Sequence, residues 1–475
     1  MKLLKNFSIY SLGRILVDGL KFFLIPFYTT YIPIGEYGVY NILVSIKELF
    51  LNFGSLVSRS AYHRFYFKEK DTKNTLSSVF ALFMFIFLFF VILILIFSNQ
   101  IRTYLFNEFP YFFYLIYLIV LIAFFQFFVT LSKTEAMMES RAFDYLIMSL
   151  LVGILPLGLI IYFVMFLGMT IQGLFYGMLM PYAGLGIYII FKKRNLLFEK
   201  FDLEKVRNYF YYGLPLAFKR VSNTIISTGD RFVVQAMLTS AAVGAYSFIY
   251  LIASTINIFI IQPFASVIFP ILLKNEENIS VVQKTITNAS LAILTIVSII
   301  SLFFSFFIEY IITFFVSNQE YLAHINIIYL LSIAFVILSA KSFTEKGLVF
   351  SNKPSIIMWI SVFAGFGNIL LNVILIPHIG LWGAVIATII TYLFMLHSLI
   401  YYSEKNHPLR YPKVRMYTII ATYSGMIFLY YIFQNSMNQI ILKTFLICLY
   451  FLLLWIFRIL TKSNITYVLK TIKIS

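Results

Sequence analysis

The sequence predicts an all-α, polytopic membrane protein, and three observations carry that prediction. Of its 475 residues, 61% are hydrophobic and 12% charged, with a mean hydropathy of +0.91, whereas a soluble domain carries roughly 25% charged residues. The apolar residues fall in continuous runs of roughly twenty, the length of helix that crosses a bilayer core. Basic residues are also distributed unevenly between the runs, as a membrane orientation requires. A β-barrel is excluded, because its strands alternate apolar and polar residues in segments of about ten.

Taken in order, the apolar runs lie at 7–31, 36–58, 76–97, 111–132, 142–166, 169–191, 209–237, 241–272, 286–312, 321–340, 355–376, 380–402, 415–433 and 438–457, which makes fourteen spans. An even number puts both termini on one side. With that side as the cytoplasm, 28 of the 36 Lys and Arg residues fall in cytoplasmic segments and only Arg102 falls outside, so most of the net charge of +17 holds the inner loops in place. Nucleic acid is not needed to explain the charge. The start "MKLLKNFSIYSLGR" lacks the compact apolar core and small-residue cleavage site of a signal peptide. Cys448, the lone cysteine, excludes a disulfide or thiolate metal site.

The charged segment 192–208 reads as a cytoplasmic linker between two six-helix lobes, 1–191 and 209–403, with 404–475 adding spans 13 and 14 and a cytoplasmic tail. The lobes resemble each other. A shift of 206 residues lays "YGVYN" on "VGAYS", matching Gly38 to Gly244 and Tyr40 to Tyr246. A shift of 212 matches Gly168 to Gly380. Spans 1 and 7 run in the same direction, so the repeats are parallel, and in such transporters the substrate site lies between the halves.

Seven basic residues stand inside spans, against three clear acids. An intramembrane charge costs at least about 2.5 kcal/mol at midplane, so these residues face water or one another. In span 1, Arg14, Asp18 and Lys21 share a face, with Asp18 about 40° from Arg14 and Lys21 about 20° to the other side. In span 7, Arg220, Thr224, Ser227 and Arg231 recur at helical spacing, and Arg14 is the repeat partner of Arg220. The expected lumen is therefore basic. Arg14, Lys21, Lys47, Lys219, Arg220 and Arg231 are its candidate substrate-binding residues, and a phosphate, pyrophosphate or acidic sugar is the anion they suit. Asp18, Glu48 and Asp230 are candidates for ion coupling. They also read as counter-ions: Asp18 pairs with either Arg14 or Lys21 on the helix surface, and Asp230 orients a neighbouring cation. Lys47 and Glu48 are adjacent and are expected to point apart. Arg59 and Arg64 read as inner-side anchors or as a cytoplasmic mouth that gathers an anionic headgroup.

Pro26 and Pro215 lie in the charged spans 1 and 7 and are hinge candidates, with a static kink as the plainer reading; Pro156, Pro181 and Pro263 interrupt other spans. There is no P-loop, no metal-ligand spacing among the five histidines and no nucleophile–base arrangement. No cofactor is expected, and the energy for transport comes from a proton or sodium gradient, the membrane potential or the substrate's own gradient.

Six, six and two spans in parallel halves resemble the MOP exporter superfamily. The local pattern is similar to its Wzx-type flippases of lipid-linked oligosaccharides. The resemblance rests on "FFLIPFYTTYIPIGEYGVYNIL", "HRFYFKEKD", "YGLPLAF", "STGDRFVVQAMLTSAAVGAYSFIY" and "FPILLK", in that order across both halves. It implies a bacterial cytoplasmic-membrane flippase, not an enzyme, that moves an undecaprenyl-pyrophosphate-linked repeat unit outward by alternating access. Its partners would be that substrate, the bilayer and the glycan polymerase or ligase machinery outside. Asp230 and Arg231 fall on the family's "DR" pair, and Arg14 on an arginine that such proteins often have early in span 1. A flippase of the peptidoglycan lipid precursor is the nearest alternative. A MATE-type ion-coupled antiporter would favour an acidic or apolar cavity for its cations, and a membrane-embedded polysaccharide polymerase would need larger outer loops.

Overall fold

The computed structural model describes residues 24–66, 72–106, 109, 111–274, 278–351, 353–407 and 409–459. Arg14, Asp18 and Lys21 therefore lie outside the described residues. Within them the chain is helical and contains no strand. Among the described residues eleven helical segments are long and apolar enough to cross a membrane, which makes this a multi-pass membrane protein.

The first helices are α1 (Ile25–Tyr31), α2 (Ile34–Phe65), α3 (Thr72–Leu105), α4 (Phe112–Met138), α5 (Ala142–Ile161, ending in a π-turn) and α6 (Ile171–Leu197). They are followed by α7 (Leu203–Thr228), α8 (Asp230–Met237), α9 (Ser240–Ala253) and, after a second π-turn, α10 (Gln262–Lys274). Then come α11 (Ile279–Phe315), α12 (Ile327–Thr344), α13 (Lys346–Phe350), α14 (Pro354–Ile379), α15 (Leu381–Asn406), α16 (Lys413–Phe433) and α17 (Gln439–Ile456). Each apolar run from the second onward has its helix or helix pair. Helices α2 and α7 have the length to cross a bilayer but are not among the eleven. They carry spans 2 and 7, where the sequence places its intramembrane charges.

The run at 209–237 is divided. α7 stops at Thr228, Gly229 donates to Ile225 O, and α8 begins at Asp230. Thr224, Ser227 and Thr228 turn their hydroxyls back onto α7 carbonyls just before the break, an arrangement that loosens and bends a helix. Pro215 lies inside α7 without ending it. Pro26 occupies the second position of α1, where its missing N–H costs nothing, and its carbonyl accepts from Thr30 Oγ1 at 2.7 Å. Pro156 and Pro181 lie inside α5 and α6. The coil between α6 and α7 is 198–202, and the Asp202 side chain caps α7 by accepting from the Glu204 and Lys205 amides.

The chain forms two compact units, residues up to Ser247 with 316–320, and Phe248–Phe315 with the residues from Tyr321 onward. The first unit has a core of phenylalanines in which Phe83 stacks on Phe127 and Phe50 packs edge-on against Phe87. In the same unit α2 and α9 cross at the two glycines that the repeat matches. A Cβ on Gly38 would fall 2.0 Å from the Ser240 carbonyl oxygen, and one on Gly244 would fall 2.1 Å from that of Ile34. Only hydrogen fits at either position. Glu36, next to this crossing, accepts from the Ile171 amide at 3.0 Å and so satisfies a donor at the start of α6.

The core of the second unit is built on tyrosines whose hydroxyls are bonded. Tyr423 donates to Ser332 at 2.6 Å, and Tyr329 donates to Tyr430. Asn368 and Thr391 bond between α14 and α15 at 3.1 Å, a form of polar contact that holds membrane helices together. Gly168 and Gly380, matched by the later repeat shift, both take positive φ (64° and 59°) just before α6 and α15. Both turns need a residue without a Cβ.

Candidate functional site

The site lies in the first unit, along the seam of α2 and α7. The two helices pack closely because Gly213 allows it: a Cβ there would fall 2.5 Å from the Val57 carbonyl oxygen. Phe65 stacks on Tyr209 and Phe53 meets Phe218 edge-on, which fixes the register.

This register sets polar residues of α2 against the basic stripe of α7. Asn52 donates to Thr224 Oγ1 at 2.9 Å and accepts from Arg220 Nε at 3.3 Å, so one amide aligns both residues. Arg59, two turns along α2 from Asn52, is an electrostatic neighbour of Arg220. Among the described residues no acid pairs with either guanidinium. Two like charges that act on each other raise the local potential, and a bound anion would relieve it. Two forked guanidiniums match the oxygens of a phosphate in number and shape.

Toward the other end of the seam, Arg231 Nη1 reaches Ser45 Oγ at 3.5 Å and lies near the Tyr37 hydroxyl. Asp230 holds Arg231 in place. Its fully buried carboxylate accepts from Tyr246 OH at 2.5 Å and from the Arg231 amide at 2.9 Å. Tyr246, the repeat partner of Tyr40, thus anchors the start of α8. Beside it, Tyr28, Tyr37 and Tyr40 form a chain of rings 5.4 and 6.2 Å apart.

The other expected residues are placed differently. Lys47 is 4% exposed; it donates to Gln126 Oε1 at 3.1 Å and pairs with Glu48 at 3.2 Å. The two neighbours meet rather than point apart, because the long Lys side chain folds back along α2. Lys219 is half-buried beside Arg220, and Arg64 is exposed in the last turn of α2. Lys443, a cation of the last spans, is fully buried over the rings of Tyr310 (4.7 Å) and Tyr430 (5.5 Å).

The structure brings Arg220, Arg231 and Arg59 onto one seam. It adds Asn52 and Ser45, which sequence reasoning missed; Asn41, a turn before Ser45, donates to the Tyr37 carbonyl of its own helix. A signal for them was present: Asn41, Ser45, Asn52 and Arg59 stand at i, i+4, i+11 and i+18, within about 40° of one another around a helix.

A second charged cluster joins the other ends of the same unit. Glu135 of α4 pairs with Lys193 of α6, lies 3.8 Å from Arg141 and accepts from Tyr62 OH at 3.4 Å. Arg141 donates to Glu139 at 2.6 Å and to Asp144 at 2.7 Å. Burial and the bond to Glu139 push the Tyr66 hydroxyl up to about 12, so it remains a donor to that carboxylate at neutral pH. No group of three or more His, Cys, Asp or Glu residues that could hold a metal occurs among the described residues.

No curated protein matches the chain by sequence. Among solved structures, the lipid II flippase MurJ in an inward closed conformation superposes with a TM-score of 0.70 at 17% identity, covering 94% of this chain and 97% of that one. A multidrug resistance MATE family transporter of the MOP superfamily matches in its inward-facing conformation with a TM-score of 0.63 at 15% identity, covering 87% and 95%. An outward-facing MATE transporter matches at 0.61 and 14% identity, covering 87% and 96%. These neighbours are flippases and transporters, not enzymes, and the fold is theirs. The model of the polysaccharide biosynthesis protein family matches residues 3–276, more than half of the sequence, and the chain belongs to that family.

Proposed function

We propose that this protein is a flippase that carries a lipid-linked oligosaccharide, joined to undecaprenyl through pyrophosphate, from the cytoplasmic to the outer leaflet of a bacterial cytoplasmic membrane by alternating access. The observation that carries this reading is Arg220, aligned by Asn52 and with Arg59 as an electrostatic neighbour, neither guanidinium having an acid partner among the described residues. A pyrophosphate is the part of such a substrate that two adjacent guanidiniums recognise. Arg231, held by Asp230, provides a further positive charge along the seam. Arg14 and Lys21 of span 1 belong to the same proposed path. Lys47 and Glu48, bonded to each other, set the local charge of α2, and the tyrosine chain, buried at Tyr28 and Tyr37, packs beside Arg231. Both termini are placed in the cytoplasm by the basic loops, and the lobes at 1–191 and 209–403 are the proposed moving parts. Coupling to a proton or sodium gradient through Asp18 or Asp230 would supply direction, and a glycan polymerase or ligase would take up the product.

The test is to change Arg14, Arg220 and Arg231 to Ala, singly and together. Lipid-linked oligosaccharide should accumulate on the cytoplasmic face while the protein still inserts. Normal surface glycan in the triple variant would sink the proposal.

The likeness to a lipid II flippase favours one second reading, in which the pyrophosphate cargo is the peptidoglycan precursor. Growth of cells depleted of their own precursor flippase and supplied with this protein would support that reading.

A further inference from the structure

The second charged cluster opens onto a groove of about 320 Å³ between α5 and α6 that the transport reading does not use. On α5, Asp144, Ile147, Met148 and Leu151 line it at i, i+3, i+4 and i+7, a single helix face. On α6, Leu185, Tyr188, Ile189 and Lys192 repeat the same spacing. The helices run in opposite directions, so the charged member of each stripe lies at the same end of the groove. From there the apolar walls extend seven residues, about 10 Å. The groove is therefore polar at one end and apolar along its length, and Leu151 and Tyr188 are partly exposed beside it.

The charges at the polar end balance. Glu135, Glu139 and Asp144 face Arg141, Lys192 and Lys193. Lys192 lies over the Tyr188 ring at 5.7 Å and has no acid partner among the described residues. Asp144 is almost half exposed, bonded on one side to Arg141. A purely anionic group would meet three carboxylates here, and a purely cationic one would meet three cations. A group that carries both signs a few bonds apart fits.

We propose that this groove binds one zwitterionic phospholipid of the leaflet facing the basic loops, with its phosphate on Lys192 and its primary ammonium on the exposed side of Asp144. One acyl chain follows Ile147, Met148 and Leu151. The lining of this groove lies on α4, α5 and α6 rather than on α7, and the proposal stands whatever cargo the seam carries. A primary ammonium donates hydrogen bonds to Asp144, whereas a quaternary one cannot, so phosphatidylethanolamine is selected over phosphatidylcholine.

The test uses the full chain in vesicles with equal parts of phosphatidylethanolamine, phosphatidylcholine and phosphatidylglycerol. Lipid retained after gentle extraction is counted by native mass spectrometry. Phosphatidylethanolamine should exceed each of the others about fivefold, the worth of roughly one net hydrogen bond. Leu151→Trp, which fills the apolar wall from the lipid side, and Lys192→Glu should each abolish the excess without lowering the unfolding temperature. Asp144→Asn should make phosphatidylethanolamine and phosphatidylcholine equivalent. Lys192→Gln replaces Lys192→Glu if the latter does not fold. Equal retention of the three lipids by the unaltered protein, preference for phosphatidylglycerol, or an excess that survives Leu151→Trp and the Lys192 change would each overturn the proposal.

Discussion

Two charged regions of the first unit make opposite use of the same residue types. At the α4–α6 ends, Arg141 and Lys193 are each matched by carboxylates, so the cluster satisfies itself. Along the α2–α7 seam, Arg220 donates to the Asn52 amide oxygen, Arg59 is an electrostatic neighbour of Arg220 and of Tyr145, and among the described residues no acid pairs with either guanidinium. Removing charge from water is costly at Glu135 and Lys193, which are largely buried, whereas Arg220 stays exposed. In the first the cost is offset inside the protein, which makes the cluster a brace between helices. In the second the offset must come from outside. The location of basic residues in a membrane protein therefore says less than whether acids accompany them.

The largest expected effect comes from unbalancing the brace. Glu135→Gln leaves Lys193 and Arg141 short of a partner at a site where Glu135 is 12% exposed, and stability should fall by about 3 kcal/mol, read by unfolding in detergent. Balancing the seam is the converse experiment. Arg220→Glu places an acid beside Arg59; transport should drop about 100-fold, equivalent to about 2.7 kcal/mol, while the unfolding temperature holds or rises. A variant that transports normally would remove the distinction between the two regions. A smaller effect is expected at Asn52→Leu. Loss of its cross-helix bonds should cost about 0.6 kcal/mol, the average for such contacts in a membrane, and the released Arg220 should lower transport several-fold. The smallest belongs to Lys443→Met. Among the described residues that ammonium has ring faces and no hydrogen-bond acceptor, with Glu309 as its charged neighbour, so an apolar residue of similar volume should leave stability within about 1 kcal/mol and transport unchanged.

Much of the fold was legible in the sequence, because crossing a bilayer forces a regular length and composition on each helix. The apolar runs became helices, and the glycines matched by the repeat proved to work in pairs, Gly38 and Gly244 at one crossing, Gly168 and Gly380 at two positive-φ turns. The site was only partly legible. The α7 stripe follows from helical spacing, but its break at Gly229 does not, since it depends on local back-bonding by three hydroxyls. Nor could spacing show that Lys47 is occupied, because its acceptor Gln126 lies on α4, remote in sequence. Asn52 was overlooked because an uncharged residue in a long apolar run draws no attention until its partner is known.

By itself the sequence determined that this chain lives in a membrane, that it repeats, and that charge is concentrated in spans 1, 2 and 7, because length, hydropathy and helical period are properties of each segment alone. Tertiary structure alone decided which charges are matched. Pairing depends on atoms from different helices coming within about 4 Å, and that proximity is set by packing, here by Gly213 letting α7 lie against α2, so that Arg220 bonds to Asn52 and to no acid among the described residues.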